Sequence, residues 1–301
     1  MESLRNKPEG QSDDKSKDQS DEDKAKDNKD LQVTPKSQKD PFIPPFEEGQ
    51  YIEELTDTHR LIYNKYSVSD EHVIVITKEY EEQSAPLSVD DFKAALITCK
   101  ALDAFMFFNC GFKSGASIPH RHLQVIPYES MYQKLLPVEQ AALRYVSQNR
   151  IDTQQFTLPQ FSKFQHIFCK IDPAVFSLHF DTFDEIEEQA IYLENQYWDC
   201  LSVLRNNEYD ETKSYNLILM KNFILTVMRE REQIRDQQSE TSLNINSLGF
   251  AGTFAVKSEE SLELLKRLTP LQVLELLSVP KKTEEEELAQ SLIPPIEDIK
   301  F

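Results

Sequence analysis

An α+β fold built on antiparallel sheet is what this sequence predicts, and three observations carry it. Apolar, β-branched runs come in pairs with short polar links, as hairpins do: Arg60–Tyr66 and His72–Thr77 around Ser67–Glu71, then Ser214–Met220 and Phe223–Met228 around Lys221-Asn222. Helical stretches with one apolar face fall between the strands, from Ser88 to Ala104 and over Glu185–Arg205. The second half shows strands and a helix like the first, without a clear internal sequence repeat.

The 301 residues are enough for one large or two small domains with a substantial core. Residues 1–40 do not join it. They hold a scattering of apolar residues (Leu4, Leu31, Val33) among Asp, Lys, Ser and Gln, too few to offset ordering entropy. Their charge is nearly balanced, so most of the net charge of −19 lies in the folded part. An acidic body argues against non-specific nucleic-acid binding. It leaves room for a nucleotide, because a pocket can be locally positive. No apolar run is long enough to span a membrane, and no signal-peptide pattern opens the chain. The four cysteines, Cys99, Cys110, Cys169 and Cys200, form no CxxC pair and read as free, buried thiols of a reducing compartment. A cytoplasmic protein is expected, with the nucleus as a second location.

The elements follow in order. Asp40-Pro41-Phe42-Ile43-Pro44-Pro45-Phe46 has three prolines in five positions, which impose an extended path. It is either a stiff linker or an arm whose apolar side chains dock on the core. Tyr51–Leu55 adds a strand before the first hairpin. Ser88 caps the first helix with Asp91 three residues on, and Phe92, Ala95, Leu96, Cys99 and Leu102 line one face. Met106, Phe107 and Phe108 form a strand ending at Asn109. Further on come a helix over Pro137–Asn149, a strand over His166–Ile171, the helix Glu185–Arg205 and the second hairpin. A tight glycine turn from Asn246 to Thr253 leads into a strand, Phe254–Lys257, then a Ser-capped helix over Ser258–Leu268. The acidic run Glu284–Glu287 is peripheral.

The stretch from Phe107 to Tyr128 carries the chemistry. Gly111 and Gly115 bracket a polar loop, where small residues let backbone N–H groups approach a ligand. His120, His122 and Gln124 then alternate with Arg121, Leu123 and Val125, which puts them on one face of an extended strand. Three readings compete. The row could be solvated and idle. It could bind zinc, since His-x-His on a strand is a common arrangement; the other histidines, His59, His72, His166 and His179, sit in no recognisable ligand spacing. Or it could be nucleophilic: a neutral imidazole attacks phosphorus and forms a phosphoramidate, splitting one hard displacement into two easier ones. A neighbouring His helps fix the tautomer, and Gln124 and the loop amides donate to phosphate oxygens.

The motif Ser114-Gly115-Ala116-Ser117-x-x-His120-Arg121-His122-Leu123-Gln124 resembles the active-site motif of the diadenosine tetraphosphate phosphorylase (ATP adenylyltransferase) family. That family lies in the branch of the histidine-triad superfamily with Gln for the third His, together with galactose-1-phosphate uridylyltransferase. The resemblance covers about residues 40–280. It includes the Asp-Pro-Phe arm, which favours docking, Asn64-Lys65 with Thr77-Lys78-Glu79-Tyr80, and Asn246 to Gly252 followed by Lys257. It implies a histidine-triad-like fold of two similar halves forming a pseudo-dimer within one chain. The catalytic half would be 41–135, with 136–280 completing the nucleotide site between the 1–40 tail and the acidic 281–301 segment.

The resemblance also implies residue roles. His122, the central histidine, is the nucleophile, a choice that spacing alone leaves open between His120 and His122. His120 orients the strand or hydrogen-bonds near the site, and Gln124 holds a phosphate oxygen. Asn64, Lys65, Asn109, Ser114, Gly115, Ala116, Ser117, Ile118, Asn246, Ser247, Leu248, Thr253 and Lys257 contact substrate, with Lys65 and Lys257 offsetting polyphosphate charge. Three departures stand out. Ile118 occupies a position usually polar, and Pro119 fixes φ just before His120. Met228-Arg229-Glu230-Arg231-Glu232 stands where relatives read Pro-Arg-Ser-Arg-Glu, keeping both arginines. At Thr253 relatives vary.

The expected reaction is phosphorolysis of diadenosine tetraphosphate to ATP and ADP, and its reverse, through an adenylyl-histidine. The expected ligands are diadenosine polyphosphates, ATP, ADP and phosphate. A divalent cation, magnesium, arrives with the nucleotide, and no protein-bound metal, nucleic-acid partner or membrane is expected. The chain is expected to be a monomer. Alternatives of other classes are a nucleotide-binding pseudoenzyme, suggested by Ile118 and Pro119, and a zinc hydrolase using His120 and His122. A sugar-phosphate uridylyltransferase would be a closer relative, separable by comparing ATP with UDP-glucose as ligands.

Overall fold

One antiparallel sheet of nine strands runs through both halves of the chain. The computed structural model describes residues 40–131, 134–177, 182–205, 213–236, 239 and 241–282. The rest of the polar tail, the acidic run Glu284–Glu287 and His179 lie outside the described residues. The strands are β1 (Tyr51–Glu54), β2 (His59–Tyr63), β3 (Val73–Thr77), β4 (Ala104–Cys110), β5 (His122–Pro127), β6 (Gln155–Phe156), β7 (His166–Lys170), β8 (Tyr215–Leu219) and β9 (Phe223–Met228). Their order is β1-β2-β3-β5-β4-β8-β9-β7-β6. The halves meet at the sheet centre, where β4 pairs with β8 from Met106 opposite Leu219 to Cys110 opposite Tyr215. A separate ribbon pairs β10 (Gln233–Arg235) with β11 (Ser242–Asn244). The helices are α1 (Val89–Leu102), α2 (Pro137–Asn149), α3 (Ala174–Ser177), α4 (Phe183–Arg205), α5 (Ser247–Ala251), α6 (Glu259–Leu268) and α7 (Pro270–Leu277).

Strands β3, β4, β8 and β9 are buried at every residue, which is why they read as unbroken apolar runs rather than as alternation. Both faces are covered. Leu123, Val125, Met106, Phe108, Leu217 and Leu219 pack under α1 and α4. On the other face Phe105, Phe107, Ile126, Ile218 and Leu225 share a core with Leu248, Phe250, Leu264, Leu274 and Leu277 of α5, α6 and α7. Beyond that layer, Ile62, Ile74 and Ile76 of β2 and β3 are covered by Phe42 and Phe46 of the arm and by Ile118. The end of the helical layer and the start of the arm therefore fall beside β5, the strand that carries His122 and Gln124.

Ser88 and Asp91 form the predicted reciprocal cap of α1: Ser88 Oγ accepts from the Asp91 N–H, and the Asp91 carboxylate accepts from the Ser88 N–H at 2.8 Å. Burial alone would push the Asp91 carboxyl up. The His59 hydrogen bond and the charges of Arg121 and His59 overcome it and hold the group below the usual carboxylate range. The tight glycine-bearing path Asn246–Thr253 contains α5, capped by the Asn246 side chain and ended by Gly252 at φ 101°. One local expectation fails: Phe254–Lys257 is irregular, not a strand. Phe254 and Val256 pack into the second core, so their alternation reports burial without a strand partner. The short β6, α3, β10 and β11 and the helix α7 were not foreseen, although Thr269-Pro270 is a helix-start signal for α7.

Candidate active site

The two histidines differ in what their ring nitrogens meet. His120 is fully buried, and both of its nitrogens are occupied. Nδ1 lies 2.7 Å from Asp40 Oδ2, and Nε2 lies 3.0 Å from both the carbonyl oxygen and Oγ1 of Thr77. His122 Nδ1 lies 2.8 Å from the His120 carbonyl oxygen. A carbonyl only accepts, so Nδ1 carries the proton and the lone pair sits on Nε2. No described protein atom hydrogen-bonds that Nε2. Burial pushes the His122 imidazole down to about 4, partly opposed by the His120 carbonyl, so the ring is neutral at physiological pH. It is a neutral imidazole with its free nitrogen defined, as nucleophilic attack requires.

Docking, not linking, is what the arm does. Phe42 is 3% exposed, with its ring centroid 5.1 Å from His122 and 5.8 Å from His120. Tyr80 stands edge-on to His120 at 5.4 Å. Ile118 packs beside Phe42, which accounts for an apolar residue at a position expected to be polar. Gln83 fixes the start of β5: its Oε1 accepts the His122 N–H at 2.8 Å, and its Nε2 donates to the carbonyls of Asn109 at 2.9 Å and His122 at 3.1 Å. Behind β5, Arg121 is buried and donates to Asp91 at 2.6 Å and to the Glu82 carbonyl. Gln124 is half-buried and hydrogen-bonds His72, whose imidazole burial lowers to about 4.

The glycine loop is held from the second half. Gly115 has φ 88°, and a Cβ there would stand 3.2 Å from Asn246 Cβ and 3.3 Å from the Ile245 carbonyl oxygen. The Ser114 carbonyl accepts from Asn216 Nδ2 at 3.0 Å and Arg229 Nη1 at 3.2 Å. Arg229 also donates to Asn216 Oδ1 at 2.5 Å and to the carbonyls of Arg231 and Leu277. It is 2% exposed, and burial pulls its guanidinium down to about 9.

Beside this loop lies a cleft of about 410 Å³. It is lined by Gly115, Ser117, Asn246, Leu248, Thr253 and Lys257 among the expected residues, and also by Glu232 and Val68. A second cleft of about 470 Å³ shares Val68 and is lined by Asn64 and His72. Several expected contacts are turned elsewhere. Ser114 is fully buried and its Oγ donates to the Gly111 carbonyl at 2.6 Å. Ser247 is fully buried and its Oγ donates to Phe108 O and Asn109 Oδ1. Asn109 Oδ1 is saturated by Asn216 Nδ2 and by the N–H and Oγ of Ser247, so only its Nδ2 is left for a ligand. Lys65 pairs with Glu47 at 2.5 Å on the surface and lines neither cleft. Ala116 and Ile118 line neither cleft.

A zinc reading of the row meets a physical obstacle. His120 has no free ring nitrogen, His166 spends both of its own on the Leu158 N–H and the Phe164 carbonyl, and His59 spends its on Thr58 and Asp91. Among the described residues no three His, Cys, Asp or Glu side chains converge as a ligand set.

Both halves match one enzyme family. Residues 14–144 match the Ap4A phosphorylase N-terminal domain and residues 161–280 the ATP adenylyltransferase C-terminal domain. The chain belongs to the Ap4A phosphorylase / ATP adenylyltransferase family. It is 28% identical over 247 residues to the diadenosine 5',5'''-P1,P4-tetraphosphate phosphorylase 2 of Saccharomyces cerevisiae, spanning 75% of this chain and 71% of that one. Protein APA1 of the same yeast is 28% identical over 245 residues, 73% of this chain and 70% of that one. Among solved structures, yeast Ap4A phosphorylase Apa2 in complex with AMP superposes with a TM-score of 0.61 at 25% identity, covering 81% of this chain and 82% of that one. The complex of Apa2 with Ap4A gives 0.59 at 27% identity, with the same coverage.

In this phosphorylase-family chain the residues that motif reading missed are those that hold the motif: Asp40, Thr77, Gln83, Asn216 and Arg229. Asp40 heads the proline-rich arm, Thr77 opens the Thr77-Lys78-Glu79-Tyr80 match and Arg229 is one of the two retained arginines, so each left a trace in the sequence. Gln83 and Asn216 left none.

Proposed function

We propose that this chain is an adenylyl transferase that cleaves diadenosine tetraphosphate by phosphorolysis through a covalent adenylyl-His122. The observation that carries the reading is the His122 Nδ1 hydrogen bond to the His120 carbonyl, 2.8 Å long, which leaves a neutral Nε2 as nucleophile. Nε2 attacks the α-phosphorus, the P–O bond to the remaining triphosphate breaks, and ATP leaves with the electron pair. A phosphate oxygen then attacks the same phosphorus, the P–N bond breaks, and ADP is released. The Gln124 amide and the N–H group of Ser117 are suited to hold non-bridging oxygens, whereas the Gly115 N–H donates to the Phe112 carbonyl at 3.2 Å. Lys257, on the 410 Å³ cleft, faces the polyphosphate with its charge.

A divalent cation enters with the nucleotide as part of the substrate and neutralises its phosphates. The enzyme acts as a monomer in this reading. No helix among the described residues is long and apolar enough to cross a membrane. The two halves act as an internal pseudo-dimer. This is supported by hairpin, helix and hairpin recurring in each half around the β4–β8 pair, with α1 beside α4.

The test is intact-protein mass after brief incubation with diadenosine tetraphosphate without phosphate, quenched in base because phosphoramidates are acid-labile. One adenylyl group on the parent chain and none on His122→Ala is expected. A parent chain that makes ADP with no adduct at any time point would overturn the covalent mechanism.

A further inference from the structure

We propose that Asp40, carried by the N-terminal arm, is a positioning residue for nucleotidyl transfer, acting on His122 through His120. The inference deepens the proposed function, since it rests on His122 as the nucleophile. The contacts form an unbroken line. Asp40 Oδ1 accepts the Phe42 N–H at 2.9 Å, which fixes the carboxylate to its own arm. Asp40 Oδ2 lies 2.7 Å from His120 Nδ1. The far side of that imidazole meets Thr77 at 3.0 Å, so the His120 ring is clamped from both ends. The carbonyl of the same residue accepts the His122 Nδ1–H at 2.8 Å and sets the tautomer and tilt of the reacting ring.

Geometry alone would make Asp40 a brace, but charge gives it a second role. When His122 Nε2 bonds to phosphorus, Nδ1 keeps its proton, so a neutral ring becomes cationic in a site where both histidines are almost wholly buried. A buried cation without a counter-charge is costly. Asp40 is a carboxylate on this side of the pair, its side chain only 22% exposed, and its charge acts to favour a cationic His122, against the larger opposing charge effect of the His120 with which it pairs. Its attraction is larger for the adenylylated ring than for the free one, which is the condition for lowering a barrier rather than only tightening binding. The cations near His120 and His122 point the same way. Arg121 is turned to the opposite face of β5 and is spent on Asp91 and the Glu82 carbonyl, and Lys78 pairs with Glu54. Neither competes for Asp40.

The role also explains why an arm of prolines and phenylalanines is seated on a catalytic strand. Phe42 covers both rings and excludes water, which strengthens the Asp40–His120 interaction. Docking of the arm and competence of the nucleophile are thereby one structural event.

The experiment uses the full chain and three proteins: parent, Asp40→Asn and Asp40→Glu. Adenylylation by diadenosine tetraphosphate without phosphate is followed in single turnover by base-quenched intact mass, and AMP affinity is measured on each. Asp40→Asn keeps the shape and loses the charge. It is expected to slow adduct formation by about 10- to 100-fold with AMP affinity within about 2-fold of the parent, and Asp40→Glu to recover most of the rate. A parental rate in Asp40→Asn overturns the proposal while leaving the nucleophile in place. Loss of AMP affinity and rate together, with no recovery in Asp40→Glu, also overturns it, since that is the signature of an arm that only packs. If the parent itself forms no adduct on His122, the proposed function fails first and this inference falls with it.

Discussion

The His122 ring nitrogen Nδ1 and the backbone carbonyl of His120 are 2.8 Å apart, and this one contact separates the roles of two histidines that spacing makes equivalent. His122 keeps a free nitrogen, whereas His120 has none. Replacing His122 by Ala should therefore abolish phosphorolysis, by roughly 10⁴-fold or more, while AMP still binds. Replacing His120 by Ala leaves its carbonyl in place and should cost less, about 10²-fold in kcat. Steady-state kinetics alongside AMP titration on the two variants checks the difference, and equal losses would contradict the assignment.

Three histidines, His72, His122 and His166, are each pulled by burial down to about 4. Their ordinary value in an unfolded chain is about 6.5. Between those values the unfolded state binds more protons than the folded one, so stability rises with pH there. The contribution is fully present above about 6.5 and lost as pH falls toward 4. Urea unfolding should show a fall between pH 7 and pH 5 of roughly 1–2 kcal/mol per histidine, with His166→Gln flattening part of it. Adenylylation by folded protein should stay level over the same interval, because the nucleophile remains neutral.

Arg229 donates to Ser114 O, Asn216 Oδ1, Arg231 O and Leu277 O from a 2% exposed position. Arg229→Met would remove the guanidinium donor from Asn216 Oδ1 and the Arg231 carbonyl, while the Ser114 carbonyl keeps Asn216 Nδ2 and the Leu277 carbonyl keeps the N–H groups of Glu230 and Arg231. A loss of about 3 kcal/mol in urea unfolding is expected, with a raised KM because the Ser114 carbonyl anchors the glycine loop. Arg229→Lys keeps the charge but not the fork and should fall between parent and Met.

The helices α1, α2 and α4 and the strands β3 and β9 were legible because each carries its own signal: Ser88 with Asp91, Pro137 at the first turn of α2, apolar periodicity, or an unbroken buried run. The candidate row could be picked out because His120, His122 and Gln124 lie within one strand-length of sequence. What binds that row could not be. Gln83 reaches His122 across 39 residues, Asn216 reaches Asn109 across 107, and Asp40 reaches His120 across 80. Such partners leave no local pattern, since a buried amide or carboxylate is indistinguishable in sequence from a solvated one. The same blindness hides what expected contacts are already doing. Asn109, Ser114 and Ser247 sit where substrate contacts were expected, and their side-chain oxygens take part in joining β4, the loop and α5, with Asn109 Nδ2 left over. Phe254–Lys257 alternates like a strand because Phe254 and Val256 pack inward, and among the described residues none pairs with it as a strand.

Gly115 gives the most direct link between backbone conformation and substrate handling. Its φ of 88° lies where a side chain is strained, and an added Cβ would press on Asn246 Cβ at 3.2 Å and on the Ile245 carbonyl at 3.3 Å. The obstacles are backbone and the first atom of a side chain, so neither can swing away. Asn246 is also the cap of α5, with its Oδ1 accepting from Leu248 N at 3.0 Å. Gly115→Ala must then either distort the loop or push the cap and the 410 Å³ cleft wall that Asn246 and Leu248 form. A stability loss of about 1–2 kcal/mol is expected. The kinetic effect should fall on KM for diadenosine tetraphosphate more than on kcat, because the His122 ring is fixed by His120 and Gln83 rather than by this loop. Measuring both constants decides it: a kcat loss at unchanged KM would mean that the loop, and not the arm and Gln83, sets the nucleophile.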